Sequence, residues 1–438
     1  MGVTPAEASP PRHGWDLPRA VAPDGFTASA HRVCIVTGEL AGPDFNGGIG
    51  TANRGLALAL RRAGFAVDVL YTRVEDGRAC AARGTFAEHV ARLRERGIRL
   101  LCIENDGPWD AWLSKSYAVL AHLLRERYAF VFFNDCHGNA YHALLAKRSG
   151  NRDLAATQMC VVTHSATQWI YDLNRQPVAA LAELAQMEVE RRSLELADAV
   201  ISPSRYLTRK YEGYGWRLPE LTYVHPNLLP QASRARAELR RANRPVRELV
   251  FFGRLETRKG LWLFCEAIER VKYELCGTAV TFLGKFTEAD GVSTGVEVVR
   301  RTAGWPMTVT FLPAFDQEQA LEYLRGAGRV AVMPSLEDNS PCVIQECLNE
   351  SIPFVASGGS GGEELVDAAD RGAVLFEPTV RGLIAKLREV VSGGAATALP
   401  SFDPAESEAR LVRWVGSRIA AASASEAAAP APRAAAPR

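Results

Sequence analysis

The residues with the clearest chemical potential lie between positions 334 and 346, where Glu337 and Asp338 precede Asn339, Ser340 and Pro341, and Glu346 follows. An apolar run over 329–333 reads as a buried strand, and 334–340 is rich in turn formers. Ser340 suits the N-cap and Pro341 the first position of a helix that carries Glu346. The unpaired amides and positive dipole end of that helix then face outward beyond the strand's carboxyl edge, where open α/β sheets bind ligands. An anionic ligand suits that place.

Other residues of the same chemical kind recur at strand ends. Arg254 and Lys259 flank the turn of Phe251-Phe252-Gly253-Arg254-Leu255-Glu256-Thr257-Arg258-Lys259-Gly260. Arg holds a diphosphate by forked hydrogen bonds and Lys as a point charge, although a plain basic surface loop has the same composition. The run Ser357-Gly358-Gly359-Ser360-Gly361-Gly362-Glu363-Glu364 gives a further strand-to-helix turn with bare amides, suited to a phosphate or simply flexible. Gly47 and Gly48 open the first helix, and a Gly-rich turn there lets backbone approach a phosphate or a sugar. Their spacing is not the dinucleotide fingerprint, and no acid ends the second strand, so a tight turn explains them equally well.

His164 ends a buried strand, where an imidazole reaches a substrate hydroxyl or serves as a structural hydrogen-bond partner. Asp135 and His137 end another strand; two donors with no HExxH argue against a metal and for helix capping by Asp135. Arg205, Tyr206, Lys210, Tyr211, Tyr214 and Trp216 form a basic, aromatic helix and turn. It reads as an ordinary half-buried helix rather than a membrane-surface one.

These turns need a repeated scaffold to carry them. At 438 residues, the chain exceeds one ordinary core. With 47% hydrophobic and 23% charged residues it has the balance of a folded globular protein, and a net charge of +1 gives no global case for nucleic acid or anionic membrane. The nine cysteines contain no CxxC pair and sit mostly in apolar runs, which favours buried thiols and a cytoplasmic location. No apolar leader or membrane-spanning run is apparent.

From His31 onward the chain alternates strand and helix. Strands are expected over 32–37, 66–72, 98–103, 129–134, 158–163 and 199–202, with helices over 51–64, 86–97, 111–128, 138–149 and 178–196. The pattern breaks near Tyr223-Val224-His225-Pro226-Asn227 and an Arg-rich stretch over 231–247. It then restarts, with strands over 248–252, 279–283, 307–312, 329–333, 353–357 and 373–376, and helices over 260–273, 292–303, 317–327 and 363–369. Two doubly wound α/β sheets are the economical reading. A last amphipathic helix over 404–419, with Leu411, Trp414, Val415 and Ile419, is placed to pack back across both. The Pro/Ala/Gly-rich start and the Ala/Pro/Ser/Arg tail from about Ala420 are not expected to pack.

In this order the motifs resemble the retaining GT-B glycosyltransferases, specifically family-4 enzymes with a starch- and glycogen-synthase-like first domain. The resemblance covers about residues 31–420. It rests on Thr37-Gly38-Glu39-Leu40 with Gly47-Gly48, on 197–204, on His225-Pro226-Asn227, on Gly253-Arg254-Leu255 with Lys259-Gly260, and on 334–346. It implies two Rossmann-like domains facing across a cleft: an acceptor domain at 31–225 and a nucleotide-sugar domain at 226–403. A cross-over helix at 404–420 would follow, with disordered segments at 1–30 and 421–438.

Carried over by position, Arg254 and Lys259 neutralise the donor diphosphate and Glu346 binds the ribose. Asp338 and the amides around Asn339 and Ser340 hold the sugar. His164 contacts that sugar, and the Gly47-Gly48 loop closes on the donor. The family's acid pair has seven intervening residues, which selects Asp338 with Glu346 and makes the first acid Asp, with Glu337 as a competing neighbour. Gly361-Gly362 leaves one residue before Glu364, a shift from the family's Gly-Gly-x-x-Glu turn.

Breaking the bond from sugar C1 to phosphate puts negative charge on the leaving diphosphate, so cations and helix N-termini lower the barrier. The resemblance therefore implies a retaining hexosyltransferase using a nucleotide-diphosphate sugar as co-substrate, with no metal and no permanently bound cofactor. Its acceptor would be a glycan, a lipid-linked sugar or a small molecule. Nucleic acid is not expected as a partner, and peripheral contact with the inner membrane face stays open. A nucleotide-sugar-binding protein without turnover, or a GT-B phosphorylase or epimerase, would share the fold.

Overall fold

The computed structural model describes residues 27–42, 47–72, 86–103, 111–229, 245–275, 277–289 and 292–428. Phe45 and Asn46, most of the Arg-rich stretch before residue 245 and the last part of the tail lie outside these residues.

Seven short strands form the first sheet: β1 (Arg32–Thr37), β2 (Ala66–Tyr71), β3 (Ile98–Cys102), β4 (Phe130–Asn134), β5 (Gln158–Val162), β6 (Ala199–Ser202) and β7 (Thr222–Val224). They run in the order β3-β2-β1-β4-β5-β6-β7, every neighbouring pair parallel. The connecting helices are α1 (Gly48–Arg62), α2 (Phe86–Glu95), α3 (Ala111–Arg125), α4 (Tyr141–Arg148), α5 (Thr167–Asn174), α6 (Leu181–Leu196) and α7 (Arg205–Gly213). Parallel strands are covered on both faces, which is why Val33, Cys34, Ile35 and Val36 are buried without alternation. Val33 and Ile35 join one apolar cluster, Cys34 and Val36 the other.

The second sheet uses β8 (Glu248–Phe252), β9 (Ala279–Leu283), β12 (Val309–Leu312), β13 (Arg329–Met333), β14 (Phe354–Ser357) and β15 (Leu375–Phe376), with a hairpin of β10 (Glu288–Ala289) and β11 (Val292–Ser293) beside it. Its order is β12-β9-β8-β13-β14-β15, again parallel. Its helices are α8 (Leu261–Val271), α9 (Thr294–Thr302), α10 (Gln317–Leu324), α11 (Cys342–Glu350), α12 (Gly361–Glu364), α13 (Arg371–Val374) and α14 (Val380–Gly393), before the last helix α15 (Pro404–Ala428). Strand order reverses between β1 and β4 and between β8 and β13, and a crevice opens at the carboxyl ends of strands at such a point. The stretch after β13 and the turn after β8 therefore share the second sheet's crevice.

Several expectations change. Strand β7, where a break was expected, extends the first sheet to Val224, while α5 and α14 fall where no element was expected. Helix α6 starts at Leu181 because Glu183 accepts the amides of Ala179 and Ala180 at 2.7 and 3.0 Å and fixes its first turn. The helix expected over 363–369 is confined to α12, which ends at Glu364, and α13 takes up the start of the strand expected over 373–376, leaving only β15. Helix α15 continues through the residues expected to be a disordered tail as far as Ala428, since an Ala-rich run propagates a helix that packing has already nucleated.

Leu411, Trp414, Val415 and Ile419 of α15 pack into the core of the first sheet, with Trp414 edge-on to Phe130 and Tyr223. Phe402, just before α15, belongs to the second sheet's core, so the chain crosses back here. His225 ties the end of the first sheet to the same helix, its Nε2 donating to Ser407 O at 3.0 Å. Among the described residues no helix is long and apolar enough to cross a membrane.

Candidate active site

The second sheet's crevice is built by close backbone approaches. Gly260 has φ +75°, and a Cβ there would lie 1.7 Å from Pro334 O, so only glycine lets the turn after β8 settle on the stretch after β13. Leu336 N donates to Arg258 O at 2.9 Å across the same contact. This brings Lys259 to Asp338, and the two form an ion pair. Burial opposes charge on Asp338, but Lys259, Arg258 at 3.8 Å and the Asn339 amide at 3.0 Å hold its carboxyl below the usual range. Burial moves the Lys259 ammonium the other way, to a lowered pKa, against the pull of Asp338.

Arg254 stays half exposed and pairs with Glu256 at 3.2 Å. Glu256 also accepts from the buried Arg258 at 2.8 Å, and the Arg258 guanidinium lies 5.9 Å from the Trp169 ring of α5 in the first sheet's unit.

Helix α11 starts one residue later than its sequence suggests. Pro341 occupies the N-cap with ψ 116°, still extended, and Ser340 makes no cap; its buried Oγ has no partner among the described residues. The turn is drawn toward α12 instead, where Gly361 N donates to Asp338 O at 2.9 Å, and a Cβ on Gly361 would lie 1.4 Å from Asn339 O. Glu346 is buried one turn into α11, and burial pushes its pKa to about 7 although Gln317 Nε2 donates to it at 2.5 Å.

The neighbouring acids part company. Asp338 turns into the crevice, whereas Glu337 points across to the first sheet's unit, accepting from Tyr206 Oη and pairing with Lys210 at 2.8 Å. The turn from Gly358 to Glu364 presents fewer bare amides than its composition suggests. Gly358 N donates to Phe376 O, Gly359 N to Glu363 and Gly361 N to Asp338 O, so these are already spent within the protein.

On the facing sheet, Gly47 is the N-cap of α1 and Gly48 its first residue, three positions earlier than expected. Cys342 of α11 presses against this start, its Sγ donating to Gly48 O at 3.4 Å. His164 follows β5 and is buried beside a cavity of about 30 Å³ also lined by Asn53, His225 and Asn227. Burial drops its pKa to about 4, so the ring is neutral near pH 7, and its Nε2 has no partner among the described residues.

Asp135 does not cap α4, which begins six residues later at Tyr141. Its carboxylate accepts His164 N at 2.9 Å, Ser165 N at 3.2 Å and Tyr211 Oη at 2.6 Å, and so moors the loop that carries His164. His137 directs its amide to the buried Glu190 at 2.8 Å. Among the described residues, no three His, Cys, Asp or Glu side chains gather to hold a metal. The helix and turn from Arg205 to Trp216 are half-buried as expected, with Tyr211 and Trp216 stacked at 4.5 Å.

The two edges meet at Asn339, which donates to His164 O at 3.1 Å and shares a hydrogen bond with Ser204 Oγ. Gln345 adds a bond to Asn227 O at 2.7 Å. Lys259, Asp338, Asn339, Ser340, Glu346, His164 and the Gly47-Gly48 turn thus lie along one interface, with Arg254 at its solvent side. Arg258, Gln317 and Ser204 were given no role from the sequence. Arg258 had a signal, its place between two candidate residues, and so had Ser204, which ends the 197–204 motif; Gln317 had none.

Two family models match successive stretches of the chain. Residues 47–227 match a glycosyl transferase 4-like domain and residues 246–392 match glycosyl transferases group 1. The chain belongs to the GT-B glycosyltransferases.

Like other GT-B glycosyltransferases, it is similar in fold to the sucrose-phosphate synthase of Thermosynechococcus elongatus, at TM-score 0.58 and 20% identity over 89% of this chain and 94% of that one. The catalytic domain of starch synthase IV from Arabidopsis thaliana, bound to ADP and acarbose, gives TM-score 0.58 at 15% identity over 91% and 98%. By sequence, the glycogen synthase of Mycobacterium tuberculosis is 28% identical over 209 residues, 48% of this chain. The chain spans about half the length of the curated relatives it matches.

Proposed function

We propose that this GT-B glycosyltransferase moves a hexose from a nucleotide-diphosphate sugar to an acceptor with retention of anomeric configuration. The observation that carries this reading is the crevice between β8 and β13, where Lys259, Asp338 and Glu346 converge at the mouth of α11. Lys259, Arg254 and the first amides of α11 would bear the charge that develops on the departing diphosphate. Lys259 has a second task, since its pairing with Asp338 keeps that carboxylate ionised and aimed at the sugar's place. Glu346 would accept from the ribose, with Gln317 holding one of its oxygens. Neutral His164 would meet the transferred sugar from the first sheet's edge. In the retaining mode, the acceptor attacks on the face the diphosphate leaves, and a diphosphate oxygen takes its proton; no protein base is needed and no metal is invoked. The acceptor would enter from the first sheet's side, as a glycan, lipid-linked or small-molecule hydroxyl.

A panel of nucleotide sugars tested by thermal shift identifies the donor, because a ligand that binds only the folded state raises its stability. With that donor, Lys259→Ala should lower turnover at least ~100-fold, as expected for loss of one preorganised electrostatic group. Proton NMR of the product's anomeric centre tests retention. Full turnover by Lys259→Ala, or an inverted product, would reject the assignment.

A further inference from the structure

Glu364 belongs to a turn whose sequence suits phosphate, yet its side chain leaves the crevice altogether. One carboxylate oxygen accepts the amide of Arg205 and the other the amide of Tyr206, each at 2.8 Å. These are the first two residues of α7, and Ser204 before them caps the third, accepting Leu207 N at 3.2 Å. A helix leaves its first amides without intrahelical partners, and its positive end favours an anion. Here the cap of a helix on one sheet is completed by a carboxylate from the other. Glu337 grips the same helix through Tyr206 and Lys210, and Asn339 through Ser204.

Helix α7 reaches the chemistry at its far end. Tyr211, two turns along, donates to Asp135 and accepts Ala166 N at 3.0 Å, and Asp135 holds the amides of His164 and Ser165. The position of α7 is therefore felt by the loop that carries His164.

We propose that Glu364 is a positioning residue for sugar transfer: by capping α7 across the gap it sets the register in which the His164 loop lies over the donor edge, and it does not itself bind the donor. This rests on the reading of the crevice as a nucleotide-sugar site. The nucleotide would be held mainly by the second sheet's edge, so its affinity should depend little on α7 being seated, whereas transfer should depend on it strongly.

The test uses the full chain carrying Glu364→Gln, which keeps shape but accepts only one amide well, and Glu364→Asp, which keeps charge but is one methylene short. UDP, ADP and GDP are titrated calorimetrically, donor consumption is followed as release of nucleoside diphosphate, and the radius of gyration is measured by small-angle scattering. Both variants should bind the preferred nucleotide within ~2-fold of wild type and lose ~10-fold or more in kcat, the size expected for one charge-assisted hydrogen bond. Both should also show a larger radius. An equal fall in affinity and kcat would make Glu364 a donor ligand, and an unchanged kcat would remove its role; either overturns the proposal. If wild type binds none of the three nucleotides, the transfer reading is what fails. Glu364 is then judged by scattering, where an unchanged radius overturns its positioning role.

Discussion

At the scale of single residues, the crevice holds two carboxylates with opposite titration behaviour. Asp338 is kept ionised by Lys259, whereas Glu346 meets the neutral Gln317 amide and burial raises it to about pKa 7. An acid whose folded pKa lies above its unfolded value binds more protons when folded, so its cost to stability is absent below about pH 4.5 and grows as pH rises to about 7. Glu346→Gln should therefore stabilise the fold by a few kcal/mol at pH 8, with the gain vanishing below about pH 5. Urea melts at the two values check this. The same variant should bind nucleoside diphosphate more weakly, because a neutral amide replaces the carboxylate at the ribose. A gain that persists unchanged at pH 4.5 would contradict the assigned cause.

At the scale of elements, function depends on turns that pack backbone against backbone. Gly260→Ala places a methyl at φ +75° and into Pro334 O, and should cost about 2 kcal/mol or more while separating Lys259 from Asp338. Loss of stability together with loss of nucleotide binding is the expected result, measured by denaturant melts and calorimetry. Much of this level was legible from sequence. The strands at 32–37, 199–202, 248–252, 279–283 and 329–333 stand where apolar runs put them, because buried parallel strands need little beyond such runs. The first turn of α11 was misread by one residue, since Ser340 and Pro341 obey local capping rules that the contact with Gly361 overrides. Glu364 was visible as a departure from a motif. Its partners on α7 were not, because a bond spanning 159 residues leaves no local pattern.

At the scale of the whole molecule, the two sheets share one interface and one returning helix. Trp414 is 1% exposed in the first sheet's core, so Trp414→Ala should cost about 3–5 kcal/mol. Removal of 421–438, beyond the last apolar anchor at Ile419, should shift the melting temperature by only a degree or two. Thermal melts of the two variants test whether packing ends at Ile419. A severe loss on the truncation would mean that the helical extension carries more than its own propensity.

The return of α15 also bears on the order in which the protein is made. The groove between Phe130 and Tyr223 belongs to strands synthesised early, but Trp414, which fills it, emerges from the ribosome only after the entire second sheet. Vectorial folding, in which an amino-terminal domain matures before its successor appears, cannot run to completion here. The nascent first sheet waits with an apolar face uncovered, and residues translated after the second sheet complete the first core begun.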